Sequence, residues 1–156
     1  MVNPLALAHA ILGELGILAF LWAFVELLQP TKDRINRAKI ASLTGLVLFV
    51  ATWIVGGYYY VNIYSTQVKP IIKKGPMSWA HGIVMETKEH VFLFLPFIAI
   101  LQYFVLRKYD LNLINSKNAK ISVLILLGIL ILGGLSMAFT GSIISAGARA
   151  ALEILK

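Results

Sequence analysis

The chain has 156 residues, of which 59% are apolar and only 13% charged. A soluble domain carries roughly 25% charge, so a mean hydropathy of +0.83 points to an integral membrane protein. There is no cysteine, which excludes disulfides, iron–sulfur clusters and thiolate metal sites. The formal charge of +7 sits in short stretches between apolar runs, where it reads as membrane anchoring and orientation, and nucleic acid is not an expected partner.

Four segments are long and apolar enough to cross a bilayer core of about 20 residues. The first spans residues 4–28, opened by Pro4 and closed by Gln29-Pro30. The second spans 39–64, the third 76–106 with Pro96 expected to kink it, and the fourth 121–146 with no ionisable residue. These make one membrane domain over residues 1–156: an all-α, integral membrane four-helix bundle. The start, Met1-Val2-Asn3-Pro4, lacks a basic n-region, and no signal peptide is read there.

The polar connections orient the bundle. Lys32, Arg34, Arg37 and Lys39 in the first, with Arg107, Lys108, Lys117 and Lys120 in the third, outnumber Lys69, Lys73, Lys74, Arg149 and Lys156 on the other side. The positive-inside bias places both termini outside, in an expected prokaryotic cell membrane.

A seven-residue pattern occurs twice. Ala8-His9-Ala10-Ile11-Leu12-Gly13-Glu14 is echoed by Ala80-His81-Gly82-Ile83-Val84-Met85-Glu86. Ala38-Lys39-Ile40 and Ala119-Lys120-Ile121 open the second and fourth helices, and Gly56-Gly57 and Gly133-Gly134 lie within them. This reads as two tandem pseudo-repeated helical hairpins about an axis along the membrane normal. The glycine pairs are expected to let the second and fourth helices approach closely.

Ionisable groups inside membrane spans are costly and mark function by default. His9, Glu14, His81, Glu86, Lys88, Glu89 and His90 all fall in the outer halves of helices one and three. Because those helices run in the same direction, the repeat predicts His9 and His81 at similar heights across the core. Ala6, Ala10, Gly13 and Gly82 would leave room for a flat group beside them. His81 and Glu86 are about 140° apart on a regular helix and would not share one metal, whereas Glu86, Glu89 and His90 share a face and with Glu14 form a candidate carboxylate-rich metal site. Glu26 reads as an interfacial carboxylate, Lys88 as a side chain reaching for headgroups, and Tyr58, Tyr59, Tyr60 and Tyr64 as an interfacial belt.

With histidines paired across four spans, the chain resembles the small b-type cytochromes built as four-helix membrane bundles. His9, His81 and His90 carry that resemblance. It implies one non-covalent haem b near the outer face, with His9 and His81 as axial ligands and His90 as a substitute, and Glu14, Glu86 and Glu89 orienting imidazoles, holding a second ion or moving protons. Lys69, Lys73 and Lys74 would meet haem propionates or an acidic redox partner. A non-haem metal ion is the alternative cofactor. The leading function is a membrane-embedded redox or electron-transfer protein. The alternatives are an accessory subunit of a larger membrane complex and a metal-ion or proton carrier; whether it is an enzyme is left open. Expected partners are the lipid bilayer, a redox partner or larger complex, and a second copy of the chain.

Overall fold

The computed structural model describes residues 3–154. Those residues are helical nearly throughout, with no strand among them. Four helical columns are long and apolar enough to cross a membrane: 4–28, 32–74, 80–109 and 117–154.

Helix α1 (Pro4–Leu28) starts where Asn3 Oδ1 accepts from the Leu5 amide at 2.9 Å, with Pro4 supplying a fixed φ in the first turn. It ends before Pro30. Thr31 caps α2 (Lys32–Tyr59), its hydroxyl accepting from the Arg34 amide. Lys32 to Ala38, expected as a loop, are therefore helical. The cap, not the first apolar residue, sets where a helix begins.

The second column does not stop at Tyr64 either. It widens into a π-helical stretch, Tyr60–Val68, and continues as α3 (Lys69–Lys74). Pro70 gives a physical reason for the widening: it has no N–H, and its ring would crowd the carbonyl four residues back in a tight helix. After Gly75 the third column begins with a second π-helical stretch, Ala80–Met85. It runs on as α4 (Glu86–Tyr109), unbroken through the buried Pro96. A short α5 (Asn112–Asn115) leads into α6 (Lys117–Ile154).

Helix α1 packs on α2 and α6, and α4 packs on the same two, so α1 and α4 stand diagonally. The end bearing both termini is called upper here. The contact between α1 and α2 is reciprocal. A Cβ on Gly16 would lie 2.6 Å from the Phe49 ring, and one on Gly45 would lie 2.8 Å from the Phe20 ring. The two rings meet edge to face, centroids 5.0 Å apart. Each glycine is thus the socket for the other helix's phenylalanine. Below this contact the core is closed and mostly apolar: Leu27, Ile35, Leu106, Leu113 and Leu127 are all essentially inaccessible.

The Gly56-Gly57 and Gly133-Gly134 pairs do not bring the second and fourth columns together. Gly56 makes room for the His9 ring, Gly133 for Leu95, and Gly134 for Ile17 and Phe49. Small residues here accept side chains from neighbours, not backbones from the diagonal partner.

The lower end is held by charges. Glu26, near the end of α1, receives Arg37 through two hydrogen bonds of 2.8 and 3.0 Å, Arg34 at 3.0 Å, and the Trp22 indole at 3.1 Å. Arg34 also donates to the Val25 carbonyl at 2.7 Å, one of the free carbonyls of the last turn of α1. Lys39 pairs with Asp110, which follows α4 with φ of 43°. Gln102 donates to Ser42 at 3.2 Å inside the bundle.

The outward faces are apolar. Phe94, Phe97 and Phe104 on α4, and Leu132 and Phe139 on α6, are each more than 60% exposed. Bands of this extent mark a surface that meets something other than water.

Candidate functional site

At 25 residues α1 is the shortest column; the second has 43 and the fourth 38. The other three columns rise past its start, and the space this leaves at the upper end is a cleft of about 1530 Å³. Ligand pockets for drug-sized molecules span about 300–1,000 Å³, so the cleft exceeds that range. Its lower part is walled by Ile17, Phe49, Leu95, Gly134 and Met137, and its upper part carries Asn3, Gln67, Lys88, Glu89, Ser145 and Arg149. It is apolar below and polar at the mouth.

His9 lies on the α1 wall, with Ala6, Ala10 and Gly13 lining the same face, as the small-residue strip predicts. The ring is fixed from three sides. Its Nδ1 is 2.9 Å from the Thr52 carbonyl, which can only accept, so Nδ1 carries the proton. The Thr52 hydroxyl lies 3.0 Å from the same nitrogen and donates to the His9 carbonyl at 2.6 Å. Gly56 leaves the space the ring fills, and the Phe92 ring abuts it edge on, centroids 5.7 Å apart. Nε2 is left as a free lone pair on a cleft wall. A ligating histidine is oriented in the same way, its other nitrogen donating to a backbone carbonyl.

His81 is placed differently. It is 1% exposed, and its Nδ1 lies 3.1 Å from the Tyr64 hydroxyl. Its Nε2 is buried and has no partner. It does not line the cleft. Thr52 and Tyr64, the partners of His9 and His81, are twelve residues apart on one column, or about 15–18 Å along its axis. The two histidines therefore sit at different heights, and the expectation that they face one another across the core is not met. The reason is local. The first copy of the repeat begins in the opening turns of α1, while the second lies in a column that starts much higher, and there it winds as a π-helix.

His90 is exposed, donates Nδ1–H to the Glu86 carbonyl of its own helix at 2.6 Å, and borders a separate apolar depression between α4 and α6. Glu86 is exposed and outside the cleft, Glu14 is exposed along its edge, and Glu89 is half-buried in its wall with Oε1 unpartnered. Glu14, Glu86, Glu89 and His90 are thus not gathered, and no group of three or more His, Asp or Glu able to hold a metal exists among the described residues. Lys69, Lys73 and Lys74 do not line the cleft.

The tyrosines divide. All four border the cleft, but Tyr58 is 60% exposed, as a belt residue would be, whereas Tyr59, Tyr60 and Tyr64 turn inward. Tyr60 stacks on Tyr64 at 5.4 Å, and Tyr64 leans on His81.

A haem held by His9 and His81 together does not fit this geometry. A group held through His9 alone does, because one oriented imidazole faces a large apolar space. Thr52 is not legible in the sequence as the partner of His9: it lies outside the repeated motif, and its one hint is the glycine pair four residues on. Compared with known proteins, the chain matches no family model, no curated protein and no solved structure.

Proposed function

We propose that this chain is an integral membrane four-helix bundle whose upper cleft binds one haem-type redox cofactor through His9, and that it serves electron transfer in the membrane with both termini outside. The observation that supports this reading is the His9 ring, locked through Nδ1 by the Thr52 carbonyl and lining a space of about 1530 Å³. A cofactor there would bring the electron-carrying chemistry, and the chain would supply a fixed ligand, an apolar wall and exclusion of water from below. The apolar bands on α4 and α6 are the lipid-facing surface on this reading.

A carrier reading is less well supported. Below Ile17 and Phe49 the bundle is filled mostly by apolar side chains, with Ser42 and Gln102 hydrogen-bonded to each other, and the buried Glu26 carboxylate is paired with Arg34 and Arg37.

The test is a visible spectrum of the protein in mild detergent, before and after dithionite, with and without added haemin. One histidine ligand predicts a five-coordinate, high-spin spectrum that is lost in His9→Ala and kept in His81→Ala. A colourless protein that takes up no haemin, or uptake indifferent to His9, overturns the proposal.

A further inference from the structure

Lys88 stands out among the charged groups of the cleft. It projects from α4 toward α6, close enough that a Cβ on Gly141 would lie 3.2 Å from its Nζ. Among the described residues the ion pairs are Glu26 with Arg34 and Arg37, and Lys39 with Asp110. Lys88 has no such partner. Glu89 follows it in sequence, but adjacent helix positions diverge by about 100°, and no contact within ion-pair distance joins them. Glu14 and Arg149 also border the cleft and are exposed. A half-buried ammonium facing apolar walls without a counter-ion is costly unless something supplies one.

Its height is informative. Lys88 is one turn above Phe92 on α4, and Phe92 is the residue that abuts His9. Below the His9 level the cleft is walled by Ile17, Phe49, Leu95, Gly134 and Met137, with the Glu14 carboxylate, itself anionic, exposed along its edge, and toward the mouth it becomes polar and carries Lys88 and Arg149. A ligand with a large apolar body seated at His9 would therefore carry any anionic arm upward, past Lys88.

We infer that Lys88 is the counter-ion for a carboxylate side chain of the cleft's ligand. This rests on the reading that the ligand is a haem-type macrocycle, whose acidic side chains supply that carboxylate. It assigns the anchoring role to Lys88 in place of Lys69, Lys73 and Lys74.

The experiment compares haemin with haemin dimethyl ester, which keeps the macrocycle and loses both charges, by titration into the ligand-free protein in detergent. Radiolabelled palmitate is a second probe. The wild-type chain should bind haemin about tenfold or more tighter than the ester, the weight of one charge-assisted contact. Lys88→Met should remove that preference while leaving ester binding unchanged, and Lys88→Arg should retain it. Ester binding by Lys88→Met also shows that the variant is folded. Haemin uptake with no preference for the acid, or a preference that survives Lys88→Met, overturns the inference and leaves the His9 reading intact. Lys88-dependent palmitate binding without haemin uptake overturns the macrocycle as occupant and the His9 reading with it. Binding of none of the three overturns both.

Discussion

The two ends of the bundle treat their buried and half-buried ionisable groups differently. At the lower end the Glu26 carboxylate meets Arg34, Arg37 and Trp22, and Lys39 meets Asp110. Among the described residues, His81 Nε2 and Glu89 Oε1 at the upper end are buried without partners and Lys88 has no counter-ion, while the unpartnered group of the lower half is the neutral Gln102 Oε1. Buried polar groups are nearly always satisfied, so the exceptions call for an explanation. The lower charges explain themselves as clasps, Glu26 between α1 and α2 and Lys39 with Asp110 between α2 and the turn after α4. The upper ones do not, and two of them, Lys88 and Glu89, line a cleft. The difference teaches that the count of ionisable residues in a span is a weaker guide to a site than the count of those left unpaired.

The comparison is broken most forcefully by damaging the part that is only structural. Phe20 is fully buried and fills the socket at Gly45. On the membrane reading proposed above, Phe20→Ala should cost about 3 kcal/mol, the low end for a buried phenylalanine, because lipid would add little transfer penalty to the lost packing. Denaturant unfolding in detergent measures it. Where the variant folds, haemin affinity should be unchanged. A large fall in affinity at native stability would show that the two ends are coupled.

The next effect concerns His81 and asks whether an unsatisfied group is functional or merely tolerated. Tyr64→Phe removes the one recorded partner of a buried histidine and should cost about 1–3 kcal/mol. Replacing both partners, as Tyr64→Phe with His81→Leu, exchanges the pair for apolar groups and should be close to neutral. If the double variant is stable but takes up no cofactor, His81 belongs to the site despite lying outside the cleft.

A smaller effect is expected at Thr52. Thr52→Val removes the hydroxyl that donates to the His9 carbonyl, at a cost of about 1 kcal/mol. The Thr52 carbonyl still accepts from Nδ1, so the ring keeps its tautomer and haemin affinity should change less than threefold or so. A spectrum as altered as that of His9→Ala would show that the hydroxyl, not the backbone, sets the imidazole.

Hydropathy made the four columns legible, because a run such as Ile121–Ala146 is apolar all round and has no other stable form. Column ends were less legible. Thr31 and Pro70 act through capping and winding, which apolar counts do not register. The repeat drew attention to His9, which lines the cleft, but misplaced the height of His81, since equal sequence does not give equal height when one copy opens α1 and the other winds wider in a taller column. Glu26 looked like a lone interfacial carboxylate because its partners lie across a turn, 8 and 11 residues away. Lys88 looked like a headgroup anchor because nothing in the sequence says which neighbour a lysine faces.

The smallest effect tests whether the lower clasp is uniform. Lys39 and Asp110 join α2 to the turn after α4, but Asp110 is 47% exposed at its side chain while Lys39 is 16% exposed. Water and salt screen such a pair, so its worth is less than about 1 kcal/mol. Asp110 also adopts a positive φ, which a glycine accepts without strain. Asp110→Gly therefore loses a weak ion pair and gains backbone ease, and the two should nearly cancel. Lys39→Met loses the pair with no such compensation and should be slightly destabilising, by an amount that shrinks as salt is raised. If Asp110→Gly instead unfolds the protein in detergent, the lower end depends on this exposed pair as much as on the Glu26 cluster, and the contrast between a partnered end and an unpartnered one would need to be redrawn around Asp110.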